Sequence, residues 1–247
     1  MENNIDQAQR VARLLDLTSL QGNESQEDIR QLCAQCVGNF GHVAGLCLFP
    51  QFLSQAQQEL KALGSPPIRL VTVANFPHGY LDISRAVQEI HQGLAAGAQE
   101  IDLVFPYGSF TAGAQDDVAH FLTTCRKACP VILKIILETG ELRDPALIQA
   151  ASELAIATGA DFLKTSTGKS SVHATLTAAR IMLETIAQSS RTVGFKASGG
   201  IRLVNEAVQY LALAEEILGK DWIGPHTFRF GASSLLQDIL KTLDHGK

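Results

Sequence analysis

Four charged residues stand inside runs of otherwise apolar residues: Asp102 in "EIDLVF", Lys134 in "VILKIILE", Lys164 in "DFLKTS" and Lys196 in "TVGFKAS". A lysine in an apolar strand costs several kcal/mol of desolvation unless it is paired or neutral. Each of the four is flanked by residues suited to the opposite face: Ile101 and Leu103, Leu133 and Ile135, Leu163 and Thr165, Phe195 and Ala197. Two-residue strand alternation therefore turns all four charges to one side. Three lysines against a single aspartate leave positive charge uncompensated, which drives one ammonium towards the neutral amine. A neutral amine in a pocket attacks carbonyl carbon, and a neighbouring cation is a recognised way to produce one. The chemistry expected is Schiff-base formation. Lys164 or Lys196 is the nucleophile, the other its electrostatic neighbour, and Asp102 the proton carrier; Lys134 faces the same space as a candidate substrate contact.

Glycines with small or basic residues follow three of the later runs. They are Thr167, Gly168 and Lys169 in "TSTGKSS", Gly199 and Gly200 in "ASGGIR", and Gly231, Ser233 and Ser234 in "GASS". Glycine lets backbone N–H groups approach an anion closely, and a helix N-terminus adds a favourable dipole. Together the loops predict a phosphate cradle. "TGKS" is not a P-loop, because position 163, where that motif needs glycine, holds leucine. Near the N-terminus, Asp16 and Thr18 in "LLDLTSL" are candidates to bond substrate hydroxyls, or they satisfy loop N–H groups. Cys47 in "VAGLCLF" is either a core thiol or lines the pocket.

The elements that must hold these residues are legible from spacing. Eight apolar runs, at 14–20, 43–49, 68–74, 100–105, 131–138, 161–166, 192–198 and 228–233, recur about every thirty residues, the length of a strand, a helix and two short loops. Helical patterns fill the gaps. In "DPALIQAASELAIATG", Asp144 reads as N-cap, Pro145 as the first helical residue and Gly159 as the stop; "AVQEIHQGLAAG" closes on Gly97 in the same way. The pattern predicts an α/β protein: a single (β/α)8 TIM barrel domain over residues 1–247 with a short N-terminal helix. An open doubly wound sheet is the rival, but no G-x-G-x-x-G follows the first run. In a barrel the inward residues near the strand C-termini do the chemistry, and the loops after strands seven and eight commonly hold phosphate.

Composition excludes several other classes. The chain has 247 residues, 46% of them hydrophobic, enough for one sizeable core. A net charge of −5 carries no nucleic-acid footprint, so any pull on an anion must come from a local pocket. "MENNIDQAQR" has no signal-peptide core, and no apolar run approaches ~18 residues, so a cytoplasmic protein without a membrane span is expected. Five cysteines, with one C-x-x-C at Cys33 and Cys36 in a helical pattern, read as reduced thiols rather than a zinc site. No histidine spacing suggests a metal site.

Taken in order, "LLDLTSL", "NFPHG", "EIDLVFPYG", "LKIILETGEL", "DFLKTSTGK", "VGFKASGGIR" and "FRFGASSLL" resemble the deoxyribose-phosphate aldolases, a class I aldolase family, from about residue 14 to 236. The resemblance implies a (β/α)8 barrel lyase needing neither metal nor other cofactor. It implies reversible cleavage of 2-deoxy-D-ribose 5-phosphate to D-glyceraldehyde 3-phosphate and acetaldehyde, a step of deoxyribose phosphate catabolism. Lys164 would form the Schiff base. Lys196 would donate or accept a proton and lower the nucleophile's pKa, and Asp102 would shuttle protons through water. Gly168, Lys169, Gly199, Gly200, Ser233 and Ser234 fall on the family's phosphate and hydroxyl contacts. Some relatives carry a tail tyrosine that assists proton transfer; here "LDHGK" ends the sequence with no tyrosine after Tyr210, so water and Asp102 are expected to carry that step. The partners implied are the phosphosugar and acetaldehyde, with no nucleic acid and no membrane, and a homodimer is compatible with this reading. The alternatives are a class I aldolase for another phosphosugar and a non-catalytic, phosphate-ligand-binding barrel.

Overall fold

A computed structural model describes residues 4–245; the last two residues of the "LDHGK" tail lie outside the described residues. All eight expected runs form strands: β1 (Leu15–Thr18), β2 (Gly45–Cys47), β3 (Arg69–Ala74), β4 (Glu100–Val104), β5 (Ile132–Ile136), β6 (Phe162–Lys164), β7 (Gly194–Ser198) and β8 (Phe228–Ala232). Each pairs in parallel with the next, and β8 returns to β1, closing a (β/α)8 barrel. A helix, Asn4–Arg13, precedes β1. One feature went unforeseen: a small antiparallel hairpin pairs Val37–Gly38 with Gly41–His42 just before β2.

Local signals set the helix boundaries. The helix Pro145–Ala157 starts where the Asp144 carboxylate accepts the Ala146 N–H at 2.8 Å, with Pro145 in its first turn. It stops before Gly159, whose φ of +103° suits the chain reversal. The helix Ile83–Ala95 is capped by Asp82 and followed by Gly97 at φ +98° in the same manner.

Strand alternation divides the buried residues into two populations. Ile101, Leu103, Leu133, Ile135, Leu163, Phe195 and Ala197 belong to the large apolar core, as expected of residues that face the helices. A smaller apolar patch of Leu20, Cys47, Val71 and Val73, with Phe49 and Phe76 against it, is separate from that core. Glycines make room for bulky neighbours: a Cβ on Gly194 would come within 2.4 Å of the Phe162 ring, and one on Gly45 within 2.6 Å of the Asp16 carboxylate. The five cysteines are buried free thiols. Among the described residues no helix is long and apolar enough to cross a membrane.

Candidate active site

Strand register brings the charged residues level with one another. Lys164 lies opposite Lys196, Lys196 opposite Arg229, and Asp102 opposite Lys134. All of these side chains are buried, and Asp102 meets Lys134, Lys164 and Lys196, the common inward orientation expected of those four from the alternation. Asp102 is the hub. Its Oδ1 accepts from Lys134 Nζ at 2.8 Å, while its Oδ2 accepts from both Lys164 Nζ and Lys196 Nζ, each at 2.8 Å.

Three further residues complete the cluster. Asp16 Oδ2 accepts a second bond from Lys196 at 2.5 Å, and its Oδ1 accepts from Arg229. Glu100 forms an ion pair with Lys134 at 2.6 Å and accepts from Arg229 Nη2 at 3.0 Å. The expectation of one carboxylate against three lysines is therefore corrected. Asp16, Glu100 and Asp102 oppose Lys134, Lys164, Lys196 and Arg229, so a fully ionised cluster carries three negative charges against four positive, a net +1. Loss of one proton makes it neutral. A buried cluster with a low local dielectric favours that neutral state.

The surroundings select which group gives the proton up. Burial presses on every cation of the cluster, and what differs is the company each one keeps. For Lys134 and Lys196, burial is outweighed by carboxylates, Asp102 with Glu100 and Asp102 with Asp16 respectively, and both stay above the ordinary lysine value. Burial also acts first on Arg229, but Asp16 and Glu100 keep its guanidinium charged. Lys164 has a share of Asp102 only, and Lys196 beside it adds to the effect of burial, so its pKa falls below the ordinary value. Burial opposes ionisation of Asp102 and Asp16 as well; the surrounding cations override it and hold both carboxyls low.

A cavity of about 450 Å³ opens above the cluster. Lys164 alone of the three lysines reaches its wall. Thr18 lines it from the end of β1, and Thr167, Gly168 and Lys169 line it from the loop after β6. Gly199 and Gly200 come from the loop after β7, and Gly231, Ser233 and Ser234 from β8 and the turn that follows it. Ten expected site residues thus meet in one space. Gly168, Gly199 and Gly200 have φ of +79°, +91° and +79°, backbone geometry that favours glycine. At Gly231 a Cβ would lie 2.7 Å from Ser198 Oγ and 2.9 Å from Lys196 Cε. The helix Leu235–His245 begins directly after Ser234. With Lys169 and the unforeseen Arg202 on the wall, the outer part of the cavity suits a phosphate monoester.

Three expected substrate contacts are not on that wall. Asp16 is fully buried with both carboxylate oxygens committed to Lys196 and Arg229. Lys134 is fully buried between Asp102 and Glu100. Cys47 packs in the small apolar patch with Leu20, Val71 and Val73, and burial raises its thiol to about 11. Asp102 and Lys196 also lie off the wall; Asp102 bonds Lys164 directly, and Lys196 reaches it through the same Asp102 oxygen.

Sequence reasoning passed over Arg202, His173, Ser198 and Gln21, all cavity-lining, and the buried Glu100 and Arg229. Two signals were there to read. Glu100 precedes Asp102 by two residues and so shares its face, and Arg202 closes the "ASGGIR" motif that supplies the glycine pair.

The model of the DeoC/LacD family aldolases matches residues 9–241 of this chain. Among solved structures, a Coccidioides immitis protein assigned as a deoxyribose-phosphate aldolase is 28% identical, with a TM-score of 0.83 over 95% of this chain and 86% of its own. The aldolase QR15 is 26% identical, with a TM-score of 0.80 over 96% of this chain and 97% of its own. The tetrameric deoxyribose phosphate aldolase from Aeropyrum pernix shares the fold at 22% identity, with a TM-score of 0.72 over 99% and 98% of the two chains.

Proposed function

The chain belongs to the DeoC/LacD family of aldolases, and on that premise we propose that it cleaves 2-deoxy-D-ribose 5-phosphate to D-glyceraldehyde 3-phosphate and acetaldehyde through a Schiff base on Lys164. The observation that carries this reading is the shared oxygen: Asp102 Oδ2 lies 2.8 Å from both Lys164 Nζ and Lys196 Nζ. One lysine faces the cavity with a lowered pKa, the other is held as an ammonium, and a single carboxylate joins them.

The steps follow from that asymmetry. The Lys164 amine attacks the substrate aldehyde and gives a carbinolamine. Loss of its hydroxyl as water, with a proton from the Lys196 side, leaves an iminium. The iminium accepts the electron pair of the bond between the second and third carbons as that bond breaks, while the third-carbon hydroxyl loses its proton. D-Glyceraldehyde 3-phosphate departs, and an enamine of acetaldehyde remains on Lys164. Protonation of the enamine carbon and hydrolysis release acetaldehyde and restore the amine. Asp102, kept ionised by the cations around it, passes protons between the Lys164 nitrogen and the Lys196 ammonium. At the other end of the substrate, Lys169, Arg202 and the Gly168, Gly199 and Gly200 backbone receive the phosphate. Thr167, Ser233, Ser234, Gly231 and Thr18 frame it and the sugar hydroxyls.

Turnover tests the substrate assignment. The protein is expected to release acetaldehyde from 2-deoxy-D-ribose 5-phosphate and, in reverse, to take acetaldehyde in preference to ketone donors. Turnover of another phosphosugar only, or of none, would overturn the assignment.

Lys196 gives a second expectation, with a definite sign. Lys196→Leu removes a cation that lowers the Lys164 pKa and leaves Asp102 freer to hold a proton on Lys164. Both changes raise that pKa. The acid limb of kcat/KM against pH should therefore move to higher pH, with a lower rate at neutrality. A limb that stays in place while the rate falls would contradict the electrostatic role.

A further inference from the structure

Glu138 is a buried carboxylate beside the cavity that the chemistry above does not use. It follows β5 in "LKIILETGEL" and has φ +55° and ψ +61°, left-handed backbone that a non-glycine residue rarely adopts. Such conformations persist where the surrounding structure demands them, and they cluster at functional sites. Here the demand is visible. Glu138 Oε2 accepts the Thr167 N–H at 3.0 Å and the Thr167 hydroxyl at 2.5 Å, and Oε1 accepts the Ser170 hydroxyl at 2.9 Å. Every hydrogen bond recorded to this side chain among the described residues comes from the one loop that carries Gly168 and Lys169.

A carboxylate next to an anion site is unfavourable unless its charge is used elsewhere. Glu138 does not line the cavity, and its charge is taken up by these loop donors. The Thr167 hydroxyl, committed as donor to Glu138, in turn accepts the Lys169 N–H at 3.0 Å. The same turn seats the far end of the loop. Gly140 has no room for a side chain, since a Cβ there would lie 2.3 Å from the Val172 carbonyl oxygen. Ser170 Oγ, the donor to Glu138, also lies 3.0 Å from that carbonyl. The turn after β5 therefore grips the loop after β6 at Thr167, Ser170 and Val172, and between those grips lie Gly168 and Lys169. Gly168 also abuts the next loop: a Cβ on it would lie 3.8 Å from the Gly199 Cα.

We propose that Glu138 is a positioning residue for phosphate recognition, clamping the loop after β6 so that the cradle is formed before a phosphate monoester arrives. This deepens the reading of the cavity as a phosphosugar site and rests on it. Preorganisation of this kind acts on affinity for the group the loop meets.

The test uses the whole chain with Glu138→Gln, Glu138→Gly and Gly140→Ala, and inorganic phosphate as the probe. Glu138→Gln keeps the shape and removes the charge; Glu138→Gly removes the side chain while relieving the left-handed backbone; Gly140→Ala disturbs the other grip. Each is expected to weaken phosphate binding at least about tenfold and to raise KM for 2-deoxyribose 5-phosphate more than it lowers kcat. The loss in kcat/KM should be several-fold larger for the phosphorylated sugar than for 2-deoxyribose. Unchanged phosphate affinity in folded variants, or equal losses on both sugars, would overturn the clamp. If the parent protein binds no phosphate, the phosphosugar reading falls. If phosphate binds and the variants weaken it but 2-deoxyribose 5-phosphate is not cleaved, the clamp stands and only the substrate assignment falls.

Discussion

Lys164→Ala is expected to lower kcat/KM for 2-deoxyribose 5-phosphate by about 10⁴-fold or more, roughly 5.4 kcal/mol of transition-state stabilisation. The same change should leave the fold nearly untouched. With Lys164 neutral, the other six charges of the cluster balance, three against three, so deleting its amine removes no net charge. The space vacated adjoins the open cavity, where water can enter. A melting temperature within about 3 °C of the parent is expected alongside the lost activity. Retained turnover would move the nucleophile elsewhere. Collapse of the fold would mean that Lys164 is an ammonium the cluster needs.

Asp102→Asn should do the opposite to stability. Asp102 meets three lysines at 2.8 Å, and removing its charge leaves two carboxylates against at least three cations in a buried space. Breaking a buried ion pair from one side costs about 3–5 kcal/mol, so a marked loss of stability is expected together with loss of activity. The pH dependence has a definite sign. Without Asp102, Lys164 and Lys196 lose a partner that supports their charged forms, so the Lys164 pKa drops further below the unfolded value and the Lys196 pKa comes down from above it. The unfolded chain then binds more protons than the folded one, and stability rises with pH across the interval between those values. The deficit of Asp102→Asn relative to the parent should shrink as pH rises towards the lysine range. A deficit that is constant or grows with pH would contradict the charge balance. Thermal denaturation of both proteins over a pH series measures it.

These two expectations mark what was legible in the sequence. The eight strands and their order could be read because an apolar run of strand length followed by a capped helix repeats along the chain, and Asp144, Pro145 and Gly159 punctuate one such unit where the structure has it. The inward set of Asp102, Lys134, Lys164 and Lys196 could be read because a charge breaks an apolar alternation visibly. Glu100 and Arg229 obey the same alternation, but they sit near strand starts where polar residues are ordinary, and that concealed them. Their absence from the count led to a single carboxylate where three exist. Asp16 and Cys47 lie on the strands expected of them, yet which inward residues reach solvent depends on depth along the barrel axis, and alternation carries no depth. Arg202 and His173 depend on loop paths, which no periodicity encodes. Glu138 gave no signal, because nothing in "ETG" marks a glutamate that adopts a left-handed backbone to hold a neighbouring loop.

The central claim is that one particular lysine, the cavity-facing one, forms an iminium. Treatment with acetaldehyde and borohydride reduces such an iminium to a stable secondary amine, and peptide mass analysis locates it. One ethyl group per chain is expected on the peptide containing Lys164, with no labelling in Lys164→Ala. An ethyl group on Lys196 or Lys134, or no adduct under conditions of turnover, would contradict it.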